Sequence, residues 1–140
     1  MSDQNKDVVR RSFDAINKGD AATLLGHLHP KFHDTHQAAL RAAKAAFPNM
    51  QLEIEDIIAE GDKVVTRWTM HGTHTGEAAH GRMGMVKPTH KPIHVSGITI
   101  HQMEGGKVIN TWGVTNELHA LVQLGLVEHY ASAVAVPVRR

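Results

Sequence analysis

Residues 93–124 constrain the fold most strongly, because they predict a long β-hairpin that passes directly into a helix. Apolar and polar side chains alternate on both sides of Gly105-Gly106, and such alternation indicates strands with one buried face. Paired glycines between two alternating runs permit the positive φ angles that a two-residue hairpin loop requires. From residue 117 the apolar side chains recur at helical spacing instead. A strand followed at once by a covering helix indicates the edge of a core or the floor of a cavity.

Three helices and a second hairpin are predicted upstream of this segment. In each helix, apolar side chains recur at helical spacing after a capping residue. The first helix is capped by Ser2 or Asp3 and ends at Gly19. The second is capped by Asp20 and ends before Pro30, and the third is capped by Thr35 and ends before Pro48. The second hairpin turns at Gly61-Asp62 and returns as far as Thr75, and residues 76–92 form a long loop of the kind that often covers a functional site. This order predicts an α+β fold, in which a curved antiparallel sheet packs on the N-terminal helices and encloses a cone-shaped pocket.

Composition limits the classes of function. The 140 residues predict one domain, residues 1–126, and an apolar C-terminal tail, residues 127–140, that packs on a partner subunit or is disordered. The 15 basic and 14 acidic side chains nearly cancel, so we expect no binding to nucleic acid or to a membrane. The absence of cysteine excludes disulfides, thiolate metal ligands and cysteine nucleophiles. Neither a signal peptide nor a run of about 18 apolar residues occurs, and the expected location is the cytoplasm.

Short motifs of a known family are spread along most of the chain. They are AFPNM (46–50), EIEDIIAEGDKVV (53–65), RWT (67–69), GTHTG (72–76), KP (91–92), GI (97–98), GKVI (106–109), Trp112 and LVQLG (121–125). Together they resemble the SnoaL-like polyketide (ester) cyclase family of the NTF2-like superfamily. The resemblance implies an NTF2-like, cone-shaped barrel, a homodimer formed through the outer face of the sheet, and catalysis without a cofactor or a metal.

The resemblance also implies a reaction and a base. Family members that act as cyclases close a polyketide ring by intramolecular aldol condensation, in which an aspartate shortly after the tryptophan of the last strand removes a proton and a histidine on the neighbouring strand assists. Here the last strand reads Trp112-Gly113-Val114-Thr115-Asn116, and the first carboxylate after it is Glu117. Because threonine and asparagine cannot act as a base at neutral pH, this chain lacks the usual base at the usual place.

Two residues are candidates for moving the proton. His101 lies in the strand of the family's assisting histidine, and alternation places it on one face with Thr99 and Met103. Imidazole titrates near working pH, although a histidine on a solvated sheet face is the plainer interpretation. Asp34 matches the family's Asp or Asn at the pocket rim, where apolar walls would make it a usable base. Helix capping alone would also explain an aspartate there.

Other residues are candidates for stabilising an oxyanion or lining the pocket. Asn116 and His74 are predicted to hydrogen-bond a developing enolate oxygen, although a buried histidine more often needs only a structural partner. The predicted substrate-binding residues share a position on strands or near the pocket rim. They are Trp68, Met70, Met103, Trp112, Thr115 and His33. Packing also explains the two tryptophans, and β propensity also explains Thr115.

Four of the twelve histidines are closely spaced, at His27, His29, His33 and His36. Three imidazoles and an open position would suffice for zinc or copper. Pro30 interrupts any regular geometry, however, and no carboxylate-spaced zinc motif is present. We therefore predict no metal site.

The leading interpretation is a cofactor-independent acid/base enzyme of the cyclase or isomerase kind, acting on a small, largely apolar carbonyl compound. The missing carboxylate after Trp112 favours a rival from another class, a ligand-binding protein that keeps the pocket without catalysis. A hydratase, a hydrolase or a cofactor-free oxygenase on the same scaffold is a third interpretation, since one fold carries many chemistries.

Overall fold

A computed structural model of the chain describes residues 2–79 and 85–127. Its helices and strands follow the predicted order, with a short 3-10 helix and a two-stranded ribbon in addition. The elements are α1 (Ser2–Lys18), α2 (Ala21–Gly26), the 3-10 helix (Pro30–Phe32), α3 (His33–Ala46), β1 (Gln51–Glu60), β2 (Lys63–Thr73), β3 (Ala78–Ala79), β4 (Met85–Val86), β5 (Pro92–Glu104), β6 (Lys107–Thr115) and α4 (Glu117–Gln123).

The four long strands form one antiparallel sheet in the order β1-β2-β5-β6. Both tight turns lie where the sequence predicts them, and Gly105 and Gly106 have φ angles of 57° and 74°. Positive φ at both central residues is what a type I′ hairpin turn requires. The α+β class and the curved sheet packed on helices are confirmed. The barrel is an open one, because β1 and β6 are the two edges of the sheet.

Two apolar clusters hold the helices on the inner face of the sheet. The larger joins α1, α2 and strands β2, β5 and β6, and its most buried members are Val9 and Val64. The smaller joins the end of α3 with β5 and the residue after α4, through Phe47, Val95 and Leu124. The first cluster surrounds the space described below as a cavity.

A parallel bridge ties the chain after α2 to the last strand. Leu28 pairs with Val108, and the backbone hydrogen bonds are the His29 N–H to the Val108 carbonyl at 2.9 Å and the Val108 N–H to the His27 carbonyl at 2.9 Å. This bridge covers part of the β6 edge, so that the segment preceding α3 is held against the sheet.

Several predicted boundaries are wrong. Helix α3 begins at His33, so Thr35 lies inside its first turn and does not cap it. Strand β2 ends at Thr73. Part of the predicted loop 76–92 is the ribbon β3-β4, while its residues 80–84 and the predicted tail from residue 128 onward lie outside the described residues.

No helix within residues 2–79 and 85–127 is long and apolar enough to cross a membrane.

Candidate active site

An apolar cavity of about 150 Å³ lies between the N-terminal helices and the inner face of the sheet. Its lining residues come from α1, α2, α3, β5, β6 and the bridge that follows α2. They are Val9, Ser12, Phe13, Ile16, Leu24, Leu28, His36, Thr99, His101, Val108 and Thr111. Hydroxyl and imidazole groups are the polar side chains of this wall, which resembles ligand pockets in which a few polar groups orient a ligand among apolar ones.

His101 occupies the sheet side of the cavity. Its Nε2 lies 3.2 Å from the hydroxyl of Thr66, which is fully buried, and its ring packs edge-on against Phe13 with centroids 6.2 Å apart. Burial lowers the pKa of His101 to about 4, because desolvation disfavours the charged imidazolium. At neutral pH this side chain is therefore an uncharged imidazole whose orientation is fixed by Thr66 and Phe13.

A second hydroxyl on the same face is held by an indole. Trp68 Nε1–H donates to Thr99 Oγ1 at 3.0 Å, which leaves the Thr99 hydroxyl hydrogen for another acceptor. The indole lies over Gly97, where an added Cβ would stand 2.3 Å from Trp68 Cζ2. A side chain at position 97 would displace the ring, so this glycine is required for the Trp68–Thr99 bond.

Ser12 contributes a hydroxyl from the helical side. Ser12 Oγ donates to the Val8 carbonyl at 2.9 Å, and it lies 3.2 Å from His27 Nδ1. The pKa of His27 is lowered chiefly by burial and further by the positive charges of Arg11 and Lys107. Ser12 thus places a satisfied polar group on an otherwise apolar helix face.

His36 contributes the second imidazole of the cavity wall, from the first turns of α3. Its Nδ1 lies 3.1 Å from the Phe32 carbonyl, and its ring packs edge-on against Phe32 with centroids 5.5 Å apart. A carbonyl oxygen only accepts hydrogen bonds, so Nδ1 carries the proton. The lone pair of the neutral ring is then on Nε2.

The structure separates the four predicted catalytic residues. Only His101 lines the cavity. Asp34 is exposed on the first turn of α3, because the helix begins two residues before the predicted cap. Asn116 is exposed and caps α4, with its side-chain oxygen accepting from the His119 N–H at 3.2 Å. Its predicted oxyanion contact is therefore replaced by a capping bond.

His74 is fully buried, yet it lies away from the cavity lining. Its Nδ1 is 3.0 Å from Thr89 Oγ1 and 3.2 Å from the Thr89 backbone nitrogen, and its ring packs on Phe47 with centroids 5.3 Å apart. These contacts join the end of β2 to the segment before β5. They support the structural alternative weighed for this residue over a role in the site.

None of the six predicted substrate-binding residues is in the cavity lining. Trp68 and Met103 pack in the larger core cluster, and Met70 packs against the smaller one. Trp112 is 48% exposed on the opposite face. The two remaining residues are Thr115, which is exposed, and His33, whose Nε2 donates to the Leu28 carbonyl at 3.2 Å.

The four closely spaced histidines do not converge. His27 meets Ser12, while His29, His33 and His36 each bond a nearby backbone group. Within the described ranges no group of three or more His, Cys, Asp or Glu side chains is arranged to hold a metal ion.

Sequence reasoning missed Ser12 and Thr111, and it considered His36 only as a metal ligand. Ser12 had a detectable signal, since it is the polar member of the buried stripe of α1 that contains Val8, Val9 and Phe13. A polar residue in an apolar helical stripe indicates either a satisfied core group or a pocket. Thr111 had no such signal, because it lies opposite His101 only after a register shift between Gln102 and Met103.

Comparisons with known proteins agree with this architecture. A family model, SnoaL-like polyketide cyclase, matches residues 6–124, and a comparison with curated sequences gives no match. Among solved structures, TsrD from Streptomyces laurentii is 24% identical, with a TM-score of 0.80 over 89% of this chain and 96% of that one.

Two further solved structures are similar and come from the same genus. AclR from Streptomyces galilaeus, a proposed hydroxylase, is 28% identical, with a TM-score of 0.79 over 89% of this chain and 98% of that one. IdmH from Streptomyces antibioticus, a proposed polyketide cyclase, is 25% identical, with a TM-score of 0.76 over 87% of this chain and 99% of that one. Because the family model spans most of the chain and the fold agrees, the chain belongs to the SnoaL-like polyketide cyclase family.

Proposed function

We propose that this protein catalyses cofactor-independent acid/base chemistry, of the cyclase or isomerase kind, on a small and largely apolar carbonyl compound. The observation that carries the proposal is a neutral imidazole, His101, fixed at the sheet side of an apolar cavity beside the Thr99 hydroxyl. In an environment of this kind a hydrogen bond to a developing oxyanion is worth more than in water. Family membership and the 25% identity to IdmH, a proposed polyketide cyclase, support the same class of reaction.

His101 is better suited to binding the carbonyl oxygen than to removing a proton from carbon. A base whose conjugate acid has a pKa of about 4 accepts protons weakly at neutral pH. A neutral imidazole with a lowered pKa, by contrast, can polarise a carbonyl as a hydrogen-bond donor. The Thr99 hydroxyl accepts from Trp68 and keeps its hydrogen, which is the second donor that we assign to the same oxygen.

The size of the cavity limits the substrate. An apolar cavity of about 150 Å³ is large enough for one benzene-sized ring, and the volume here is about the same. The reacting part of the substrate is therefore a single ring or a chain of similar size.

The exchange of α-hydrogens of cyclohexanone in D₂O, followed by proton NMR, tests this proposal. The wild-type protein should accelerate the exchange, and His101→Leu should lower the acceleration at least tenfold, since the loss of one oxyanion donor costs about 10²–10³-fold. The matched control is His94→Leu, because His94 lies on the same strand and is exposed. Exchange by the wild-type protein no faster than in buffer would overturn the proposal.

Two alternatives remain distinguishable in the same experiment. The stretch Gly113-Val114-Thr115-Asn116, where the resemblance places an aspartate, contains no carboxylate. This favours a ligand-binding protein, which would bind cyclohexanone without exchanging its hydrogens. The 28% identity to AclR, a proposed hydroxylase, favours an oxygenase, which would give an oxidised product in the presence of oxygen.

We also propose that two copies of the chain pair through the outer face of the sheet. One row of neighbours crosses all four strands there: Ile58, Val65, Ile100 and Trp112. Ile58 is 65% exposed and Trp112 is 48% exposed, and exposed apolar surface of this kind marks interaction sites.

The rows on either side of this apolar row favour a second copy as the partner. One contains Asp56 and Arg67, and the other contains Glu60 and Lys63. Because each flanking row carries both signs of charge, a two-fold rotation brings the apolar rows together without gathering like charges. Light scattering should give a dimer for the wild-type protein and a monomer for Trp112→Lys, whereas a monomeric wild-type protein would contradict the pairing.

A further inference from the structure

The strand that carries the base in related cyclases has no carboxylate on the inner face here. Gly113 lies opposite Thr99 in the register, and a Cβ added to Gly113 would stand 3.3 Å from Thr99 Oγ1. Position 113 therefore borders the polar wall of the cavity, but it carries no side chain. Proton abstraction from carbon requires a group elsewhere on the wall.

His36 is the second imidazole that lines the cavity, and it comes from α3 and not from the sheet. Two contacts fix its ring: the hydrogen bond from Nδ1 to the Phe32 carbonyl and the edge-on contact with the Phe32 ring. An imidazole that donates Nδ1–H to a carbonyl presents Nε2 as an acceptor, which is the arrangement of a general base oriented by a partner.

We propose that His36 Nε2 is the base that removes a proton from the carbon next to the substrate carbonyl. The inference rests on the proposed function and names the group that begins the reaction. The site is thus divided between two walls, with the base on α3 and the oxyanion donors on β5.

The proton and electron balance of this step is simple. The α-carbon to hydrogen bond breaks, the proton goes to His36 Nε2, and the electron pair forms the enolate, whose negative charge lies on the carbonyl oxygen. That oxygen accepts hydrogen bonds from His101 and from the Thr99 hydroxyl. The imidazolium of His36 keeps its Nδ1–H bond to Phe32. It returns a proton or a deuteron to carbon when the enolate is reprotonated, or it protonates the alkoxide oxygen that forms when the enolate carbon attacks a second carbonyl.

The chain provides a matched pair of variants for the test. His36→Asn keeps an N–H donor close to the position of Nδ1, and therefore the bond to Phe32, but removes Nε2. His33→Gln is the control, because His33 lies three residues earlier on α3 and also bonds a backbone carbonyl, that of Leu28, yet does not line the cavity. Glutamine keeps an N–H donor close to the position of the histidine Nε2, so the control bond is retained as well.

Cyclohexanone exchange in D₂O is measured for the wild-type protein and both variants, with thermal unfolding as a check of the fold. His36→Asn should lower the exchange rate about 100-fold or more, His33→Gln should leave it within twofold, and added imidazole should restore part of the loss only in His36→Asn. If His36→Asn exchanges the hydrogens as fast as the wild-type protein does, the role of His36 is overturned and the proposed function stands. Absence of wild-type exchange would overturn both.

A second measurement is independent of activity. Nitrogen NMR of the histidine rings should show His36 with a protonated Nδ1 and a bare Nε2, and phenol, a one-ring O–H donor, should shift Nε2 of His36. Protonation of Nε2 in the neutral ring, or a phenol shift at His33 and not at His36, would contradict the inference.

Discussion

The inner and outer faces of strands β5 and β6 carry different kinds of side chain, although successive residues of each strand alternate between the two faces. On the inner face, under the helices, His101 and Thr111 are opposite each other and Thr99 is opposite Gly113. On the outer face, the next residues along are Ile100 and Trp112, which are opposite each other and partly exposed. In these rows of β5 and β6, polar groups are inside and large apolar groups outside, which reverses the usual distribution. The rest of the inner face carries the apolar core.

Stability alone does not explain the buried polar groups or the exposed apolar row. Burying hydroxyl and imidazole groups costs free energy unless each is hydrogen-bonded, and His101 and Thr99 have the partners Thr66 and Trp68. Exposing a row of apolar side chains forgoes the hydrophobic contribution of their burial. Both departures have an explanation if the inner face binds a ligand and the outer face binds a second copy.

The largest expected effect is the loss of the inner polar wall in Gly97→Val. A side chain at position 97 collides with the Trp68 indole, so we expect the free energy of unfolding to fall by about 3 kcal/mol, from overpacking and from the lost bond to Thr99. Urea unfolding measures the change. Gly113→Ala is the control, since its nearest contact is 3.3 Å, and an equal loss in both variants would contradict the importance of the indole position.

The next effect sharpens the comparison through pH. Because burial lowers the pKa of His101 from 6.5 to about 4, the unfolded chain binds a proton that the folded chain does not between these values, and stability falls as pH drops through that window. We expect wild-type stability to fall by about 2 kcal/mol more than that of His101→Asn between pH 7 and pH 4.5. Urea unfolding at the two pH values gives the difference, and parallel losses would show that His101 is charged or exposed.

A smaller effect is a gain, from Gly113→Asp. The new carboxylate would stand beside Thr99 Oγ1 on the inner face. We expect cyclohexanone exchange to rise about tenfold, provided that the variant still unfolds cooperatively. An unchanged rate in a folded variant would show that position 113 does not reach the ligand.

The smallest effects belong to exposed carboxylates. Asp56 is paired with Arg67 at 2.7 Å on the outer face, but both side chains are more than half exposed, so Asp56→Asn should change stability by less than about 0.5 kcal/mol.

Asp34→Asn should leave the exchange rate unchanged, because Asp34 does not line the cavity. A large drop in exchange for Asp34→Asn would return this residue to the site.

The inner wall was predictable as far as local periodicity reaches. Alternation along β5 places Thr99 and His101 on one face from sequence alone, and the glycine pair predicts the hairpin. Register counted from that turn would place Asn110 opposite His101, but a register shift between Gln102 and Met103 places Thr111 there instead. The β5 part of the wall therefore follows from short-range rules, whereas the contribution of β6 depends on this irregularity.

The helical wall was not predictable in this way. His36 comes from a helix that begins at His33 and not after Thr35, and helix boundaries are the least certain feature of a sequence-based assignment. The same difference places Asp34 within the first turn of α3. Which helix residues meet which strand residues depends on the packing of distant segments, and neither periodicity nor spacing specifies it.

The bridge between Leu28 and Val108 also has a consequence for how the molecule assembles. It links segments that are far apart in the chain, and contacts of large sequence separation form late because loop-closure entropy opposes them. During synthesis the sheet-side wall of the cavity lacks Val108 and Thr111 until β6 has emerged, so a shorter chain offers the ligand an incomplete site. A ligand that fits the cavity would therefore stabilise the chain fully only after β6 has paired, and its binding would report that folding is complete.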